Sequence, residues 1–101
     1  MTKFDVIIVG GGPAGSSCAW QLRRRRVKTL ILEKASFPRL KLCAGWITPE
    51  VLADLEMDVA TYPHRFLTFD VTQIHIYGLT FRQCSPQHSI RRYEFDDWLL
   101  R

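Results

Sequence analysis

No run in the chain approaches the roughly eighteen consecutive apolar residues that a membrane-spanning helix needs, so no transmembrane segment is expected. The first residues also lack the basic, apolar and small-residue order of a secretory leader, which points to the cytoplasm. Cysteine is sparse and odd in number: Cys18, Cys43 and Cys84 stand far apart, which argues against a disulfide framework or a zinc site and fits a reducing compartment. His64, His75 and His88 are equally scattered, with no acid or cysteine at ligand spacing, so they read as surface or core residues, not as a metal site or a catalytic base. Internal repeats and low-complexity linkers are absent. At 101 residues the chain is long enough for one small domain and too short for two.

Acidic residues are outnumbered, 10 against 14 Lys and Arg, and much of the resulting net charge of +4 comes from Arg23, Arg24, Arg25, Arg26 and Lys28. Four consecutive arginines can meet nucleic acid or an anionic membrane surface. The better-weighted reading is a set of cations at a helix C-terminus, complementing its dipole on a solvated face, so no nucleic-acid partner is expected. The apolar fraction of 47% and charged fraction of 24% are those of an ordinary globular protein.

Of the six glycines, three fall at one informative spacing. The run DVIIVGGGPAG, Asp5 to Gly15, sets an apolar strand directly before Gly10, Gly12 and Gly15 in the order GxGxxG. Gly10 permits the turn off the strand, Gly12 lets backbone approach a pyrophosphate, and Gly15 lets the following helix pack close to the sheet. The helix beginning at Pro13 aims its unpaired N–H groups and positive dipole end at the phosphates. Phe4 to Val9 is nearly unbroken in apolar character, as for a parallel strand buried on both faces. Ala14, Cys18, Ala19 and Leu22 recur at helical spacing and are expected to face the sheet. A second strand, Lys28 to Leu32, ends at Glu33, eighteen residues past Gly15. A carboxylate there can accept from two ribose hydroxyls and would repel the extra phosphate of an NADP-type ribose, so it favours FAD or NAD. Its bland alternative is pairing with Lys34 or capping a turn, which the register of strand, glycines, helix, strand and acid makes the weaker reading.

Ala35 to Gly45 reads as a long loop in which Pro38 prevents an uninterrupted helix. Thr48 and Pro49 form a helix start, and the helix is expected to run to Met57. Three β-rich pieces follow, Phe66 to Val71, Gln73 to Tyr77 and Leu79 to Cys84, with a turn at Gly78; they read as one small antiparallel excursion over 66–84. A last helix is expected over 92–101, with Phe95, Trp98 and Leu99 on one face. It carries no capping glycine, asparagine or proline, so the expectation is that the chain is part of a larger protein.

Together, VGGGPAGSSCAWQL, LILEK, FPRLKLCAG and IRRYEFDDWLL resemble the amino-terminal part of the geranylgeranyl reductase-like branch of FAD-dependent oxidoreductases, within the flavoprotein hydroxylase and halogenase superfamily. The resemblance spans essentially the whole chain and implies an α/β, Rossmann-like FAD-binding domain with an inserted antiparallel β segment, here incomplete. It implies FAD as cofactor, NAD(P)H or a small redox protein as electron donor, and reduction of isoprenoid double bonds. By this likeness the turn of Gly10, Gly12, Pro13, Ala14 and Gly15 would hold the pyrophosphate, and Glu33 with neighbouring Lys34 would hold the adenosine ribose. Pro38, Arg39, Lys41, Cys43, Ala44 and Gly45 match the family's cofactor-binding motif; by that likeness Arg39 and Lys41 would bind the cofactor, the turn of Cys43, Ala44 and Gly45 would lie beside the flavin, and Arg92 would touch the cofactor as well. Cations and N–H donors suit both a pyrophosphate and an electron-accepting ring.

Two departures from the family pattern matter. Ala44 stands in place of a glycine, where a positive φ would cost about 1 kcal/mol, and Arg26 stands where the first helix usually ends in glycine, with a similar penalty. No residue reads as catalytic except Cys43, whose thiol can be redox-active beside a flavin, contact it passively, or simply fill space. Cys18 and Cys84 read as packing residues.

Three functions compete: an isoprenoid reductase, a flavin monooxygenase or halogenase, and a non-catalytic dinucleotide-binding remnant. The turn FPRLKLCAG favours the first. The expected partners are FAD and, in a longer protein, a small apolar substrate, with peripheral membrane contact left open. The 101 residues alone are expected neither to be catalytically competent nor to retain FAD on purification, because unpaired sheet edges and uncovered apolar faces weaken the fold.

Overall fold

The computed structural model describes residues 2–101. In chain order the elements are β1 (Val6–Val9), α1 (Pro13–Arg24), β2 (Thr29–Leu32), β3 (Trp46–Ile47), α2 (Pro49–Asp54), β4 (Phe66–Phe69), β5 (Thr72–Ile76), β6 (Leu79–Gln83), β7 (Gln87–Ile90) and α3 (Arg92–Leu100). They form an α/β chain of two compact units. The first holds the residues up to Lys41 together with Arg92–Arg101, and the second holds Leu42–Arg91.

In the first unit β1 and β2 pair in parallel, Val6 opposite Thr29 through Val9 opposite Leu32. The pairing continues into the turn, where Gly10 N–H donates to the Leu32 carbonyl at 2.8 Å. Helix α1 connects the two strands, with Gly12 at its N-cap and Pro13 in its first turn, where a missing N–H costs nothing. Gly15 sets how α1 meets the strand: a Cβ there would collide with the Gly10 carbonyl oxygen, so only glycine admits this approach.

That contact also fixes which side of α1 is covered. Ser16 is buried, and Gly15, Ala19 and Leu22 are partly covered, whereas Ala14 and Cys18 are exposed, against the expectation that they face the sheet. Successive helical residues turn by about 100°, so the covered arc runs from Leu22 through Gly15 and Ala19 to Ser16, and Ala14 and Cys18 lie beyond its edge. Expected burial of β1 on both faces is likewise not found: Val6 and Ile8 are partly covered, while Ile7 is 59% and Val9 84% exposed. Alternate strand residues point to opposite faces, and α1 covers only one of them.

The end of α1 shows what Arg26 does. Arg26 N–H donates to the Arg23 carbonyl at 2.9 Å and Val27 N–H to the Leu22 carbonyl at 3.1 Å, the paired bonds of a Schellman motif. Arg26 occupies its left-handed position with φ 60°, where glycine is ordinarily found. Arg23 to Arg26 are exposed, and Arg24 stacks over Trp20 at 4.9 Å.

In the second unit β7 lies between β3 and β4, antiparallel to both. Neither β3 nor β7 was expected from sequence, because WI is too short and QHSI too polar to read as strands. Packing supplies what propensity lacks: Trp46 Nε1 donates to the buried Gln87 side chain at 2.8 Å, and His88 stacks on Phe66 at 5.0 Å while its Nδ1 meets Thr68 Oγ1 at 3.0 Å. The β-rich stretch is thus divided, with β4 joining β7 and only β5 and β6 forming a hairpin. Its turn residues, Tyr77 and Gly78, both have positive φ, 48° and 78°, as a two-residue hairpin loop requires.

Helix α2 ends at Asp54, before the expected Met57, because Glu56 turns left-handed at φ 50° and Met57 N–H closes back on the Leu52 carbonyl. Ala44 does not adopt a positive φ, so the strain expected there is absent. The left-handed residue is Gly45, φ 74°, where a Cβ would strike the Ile90 carbonyl oxygen.

Candidate functional site

The glycine turn, the end of β2 and the loop after it enclose a cleft of about 660 Å³ in the first unit. Its lining includes Gly10, Gly12, Glu33, Lys34, Arg39 and Lys41. Pro13, Ala14 and Gly15 form the first turn of α1 at the same glycine loop. The first bond of that helix is Ser16 N–H to the Gly12 carbonyl at 2.8 Å, so the N–H groups of Ala14 and Gly15 precede the helical ladder. No side chain caps this end and no acidic residue stands in its first turn, which leaves its positive end for an anion.

Glu33 is fixed by backbone. Gly11 N–H donates to its Oε2 at 2.6 Å and Ala35 N–H to its Oε1 at 3.0 Å. The Gly11 bond, then the Ala35 bond, and the charge of Arg39 hold the carboxyl below its ordinary range, so Glu33 is an anion at neutral pH. A carboxylate has about four acceptor positions, and two N–H groups leave room for hydroxyl donors.

Arg39 has a partner that sequence reading missed. Asp96 on α3 is 1% exposed and receives Arg39 Nη1 at 2.9 Å on Oδ2. Arg92 forks onto the same carboxylate, Nε to Oδ1 at 2.7 Å and Nη2 to Oδ2 at 2.9 Å. The Arg39 guanidinium also lies over the Phe37 ring at 4.5 Å. The i,i+4 spacing of Arg92 and Asp96 is the one signal in RYEFD that could have pointed to an ion pair at Asp96.

Arg92 does not line the cleft; it opens α3 and binds Asp96. Cys43, Ala44 and Gly45 belong to the second unit. The Cys43 sulfur accepts the Gly45 N–H at 3.3 Å on an exposed turn. Cys18 and Cys84 are exposed as well, so the expectation that they serve packing is not met. Among the described residues no group of three His, Cys, Asp or Glu side chains could hold a metal ion, and no helix is long and apolar enough to cross a membrane.

A parallel β–α–β unit with a glycine turn and a strand-end carboxylate in one cleft is the architecture of a dinucleotide-binding Rossmann-like fold. The chain belongs to the NAD(P)-binding Rossmann-like domain family, whose model matches residues 8–73. A geranylgeranyl diphosphate reductase of Rhodobacter capsulatus is 32% identical over 103 residues, which is 96% of this chain and 25% of that protein. A 1H-pyrrole-2-carbonyl-[peptidyl-carrier protein] brominase of Pseudoalteromonas luteoviolacea is 30% identical over 111 residues, 98% of this chain and 26% of that one. Among solved structures, the flavin-dependent brominase Bmp2 superposes with a TM-score of 0.79 at 27% identity, over 98% of this chain and 26% of its own. The chain therefore spans about a quarter of the length of these relatives.

Proposed function

We propose that this chain is the amino-terminal, FAD-binding portion of a flavin-dependent oxidoreductase that reduces isoprenoid double bonds of the geranylgeranyl type. The observation that carries its nucleotide-binding part is Glu33, an anion bonded to the Gly11 N–H and lining the cleft with the glycine turn, while the reductase part rests on likeness to the family. The residues present fit an ADP-type group. Glycine stands at position 12, where a Cβ would lie 3.4 Å from Arg39 Nη2, and no acidic residue stands in the first turn of α1.

In this reading the N–H groups of Ala14 and Gly15, with Arg39 and Lys41, meet the pyrophosphate. Glu33 receives the ribose hydroxyls and disfavours a 2′-phosphate, while Lys34 flanks it. The Cys43–Gly45 turn is assigned to the flavin side by its likeness to the family, with Cys43 as a contact and not a reactant. Arg92 acts through Asp96. FAD, when bound and reduced by NAD(P)H or a small redox protein, would supply the two electrons that, with two protons, saturate the double bond and return the flavin to its oxidised form. Work in the cytoplasm, with peripheral contact to a membrane, suits an isoprenoid substrate.

The reductase reading is favoured over the halogenase one by the turn FPRLKLCAG and by the Rhodobacter relative. A halogenase stays as the second reading because Bmp2 shares the fold across nearly the whole chain. Because the 101 residues alone are not expected to be catalytically competent, the test supplies a full-length flavoprotein that carries them with FAD and a reductant, together with geranylgeranyl diphosphate and separately with bromide and a carrier-bound pyrrole, and reads products by mass. Gain of hydrogen by the prenyl chain supports the reductase. Bromination of pyrrole supports the second reading, and bound FAD with neither product leaves a dinucleotide-binding remnant.

A further inference from the structure

Asp96 is the most deeply buried polar side chain of the first unit, and nucleotide recognition as described above does not use it directly. Burying a carboxylate is costly unless it is paired and hydrogen-bonded, so its three bonds to Arg39 and Arg92 need a reason beyond filling space. The geometry of Arg39 gives one. Its Nη1 edge is taken by Asp96 at 2.9 Å, while its Nη2 lies beside Gly12, close enough that a Cβ on that residue would sit 3.4 Å away. The guanidinium is planar, so fixing Nη1 from one side and laying the plane over Phe37 at 4.5 Å leaves Nη2 little freedom except toward the glycine turn.

We infer that Asp96 is a positioning residue: from α3 it orients Arg39 so that one guanidinium edge faces the glycine turn and binds the pyrophosphate of the nucleotide. Arg92 completes the arrangement. Its fork onto both Asp96 oxygens fixes the carboxylate as the carboxylate fixes Arg39. The role rests on the proposed dinucleotide-binding function and adds a residue from a helix about sixty positions further along the chain. A purely structural Asp96 would stabilise the fold without distinguishing ligands that carry phosphates from those that do not.

The experiment compares the chain with its Asp96→Asn and Asp96→Glu variants, titrating each with ADP and with adenosine. Both variants displace the charge-assisted bond that holds Nη1, by neutralising it or by moving it one methylene. The expected result is a loss of about tenfold in ADP affinity, the weight of one charge-assisted hydrogen bond, with adenosine affinity unchanged. Arg39→Gln should show the same loss, and combining it with Asp96→Glu should add nothing further. If Asp96→Asn does not fold, the Asp96→Glu pair of titrations decides. Equal losses for ADP and adenosine, or no loss for either, overturn the positioning role while leaving the nucleotide site standing. Failure of the unaltered chain to bind ADP overturns the site and this role together.

Discussion

Glu33 receives two N–H groups from opposite sides, Gly11 in the glycine turn and Ala35 in the following loop, so one carboxylate ties the first strand's exit to the second's. Its folded pKa is depressed, chiefly by the Gly11 bond. The stability it contributes is therefore fully present above the ordinary glutamate pKa and is lost as pH falls through the depressed folded value. Melting curves of the unaltered chain and Glu33→Gln should show a lower Tm for the variant at neutral pH and a gap that closes only in acid. A gap that is constant with pH would show that the charge of Glu33 is not what the two N–H groups hold. The strand, the glycines and the acid were legible from DVIIVGGGPAG and LILEK because each is a local signal. Asp96 was not, because its importance comes from Arg39, fifty-seven positions away, and nothing local marks an aspartate as buried.

At the scale of elements, α1 was legible as a helix but not in its orientation. Periodicity admitted the face of Ala14 and Cys18, while the close approach at Gly15 decided for another. Gly15→Ala should then cost about 1–3 kcal/mol in denaturant unfolding, as overpacking does, and weaken ADP binding with it. Stability unchanged by the added methyl would contradict that packing. The other end of α1 predicts the opposite sign. Arg26 sits at φ 60° in a Schellman motif whose bonds are otherwise complete, so Arg26→Gly should raise stability by about 1 kcal/mol. Ala44→Gly should bring no such gain, because Ala44 is not left-handed and glycine only adds freedom to the unfolded chain. β3 and β7 escaped the sequence reading for a related reason: their stability lies in cross-strand partners such as Gln87 and Trp46, which no window of a few residues reveals.

For the whole molecule, the two units differ in how locally their folds are encoded. The β–α–β unit with α3 follows from strong local patterns, and the second unit depends on long-range pairing of short, polar strands. Apolar surface is open in both: Ile7, Val9 and Leu32 in the first, and Ile74, Ile76, Leu79 and Phe81 along the hairpin in the second. The chain spans about a quarter of the length of its relatives. In the proposed function the first unit alone holds the ADP half of a dinucleotide, with Glu33 on the ribose and α1 with Arg39 on the pyrophosphate. The most direct measurement is competition for a fluorescent ADP analogue by ADP, FAD, FMN, NAD and NADP. ADP and FAD should displace it, FMN should not because it lacks the adenosine and pyrophosphate, and NADP should be about tenfold weaker than NAD, or roughly 1.4 kcal/mol. Displacement by FMN as strong as by FAD, or by NADP as strong as by NAD, would contradict the account.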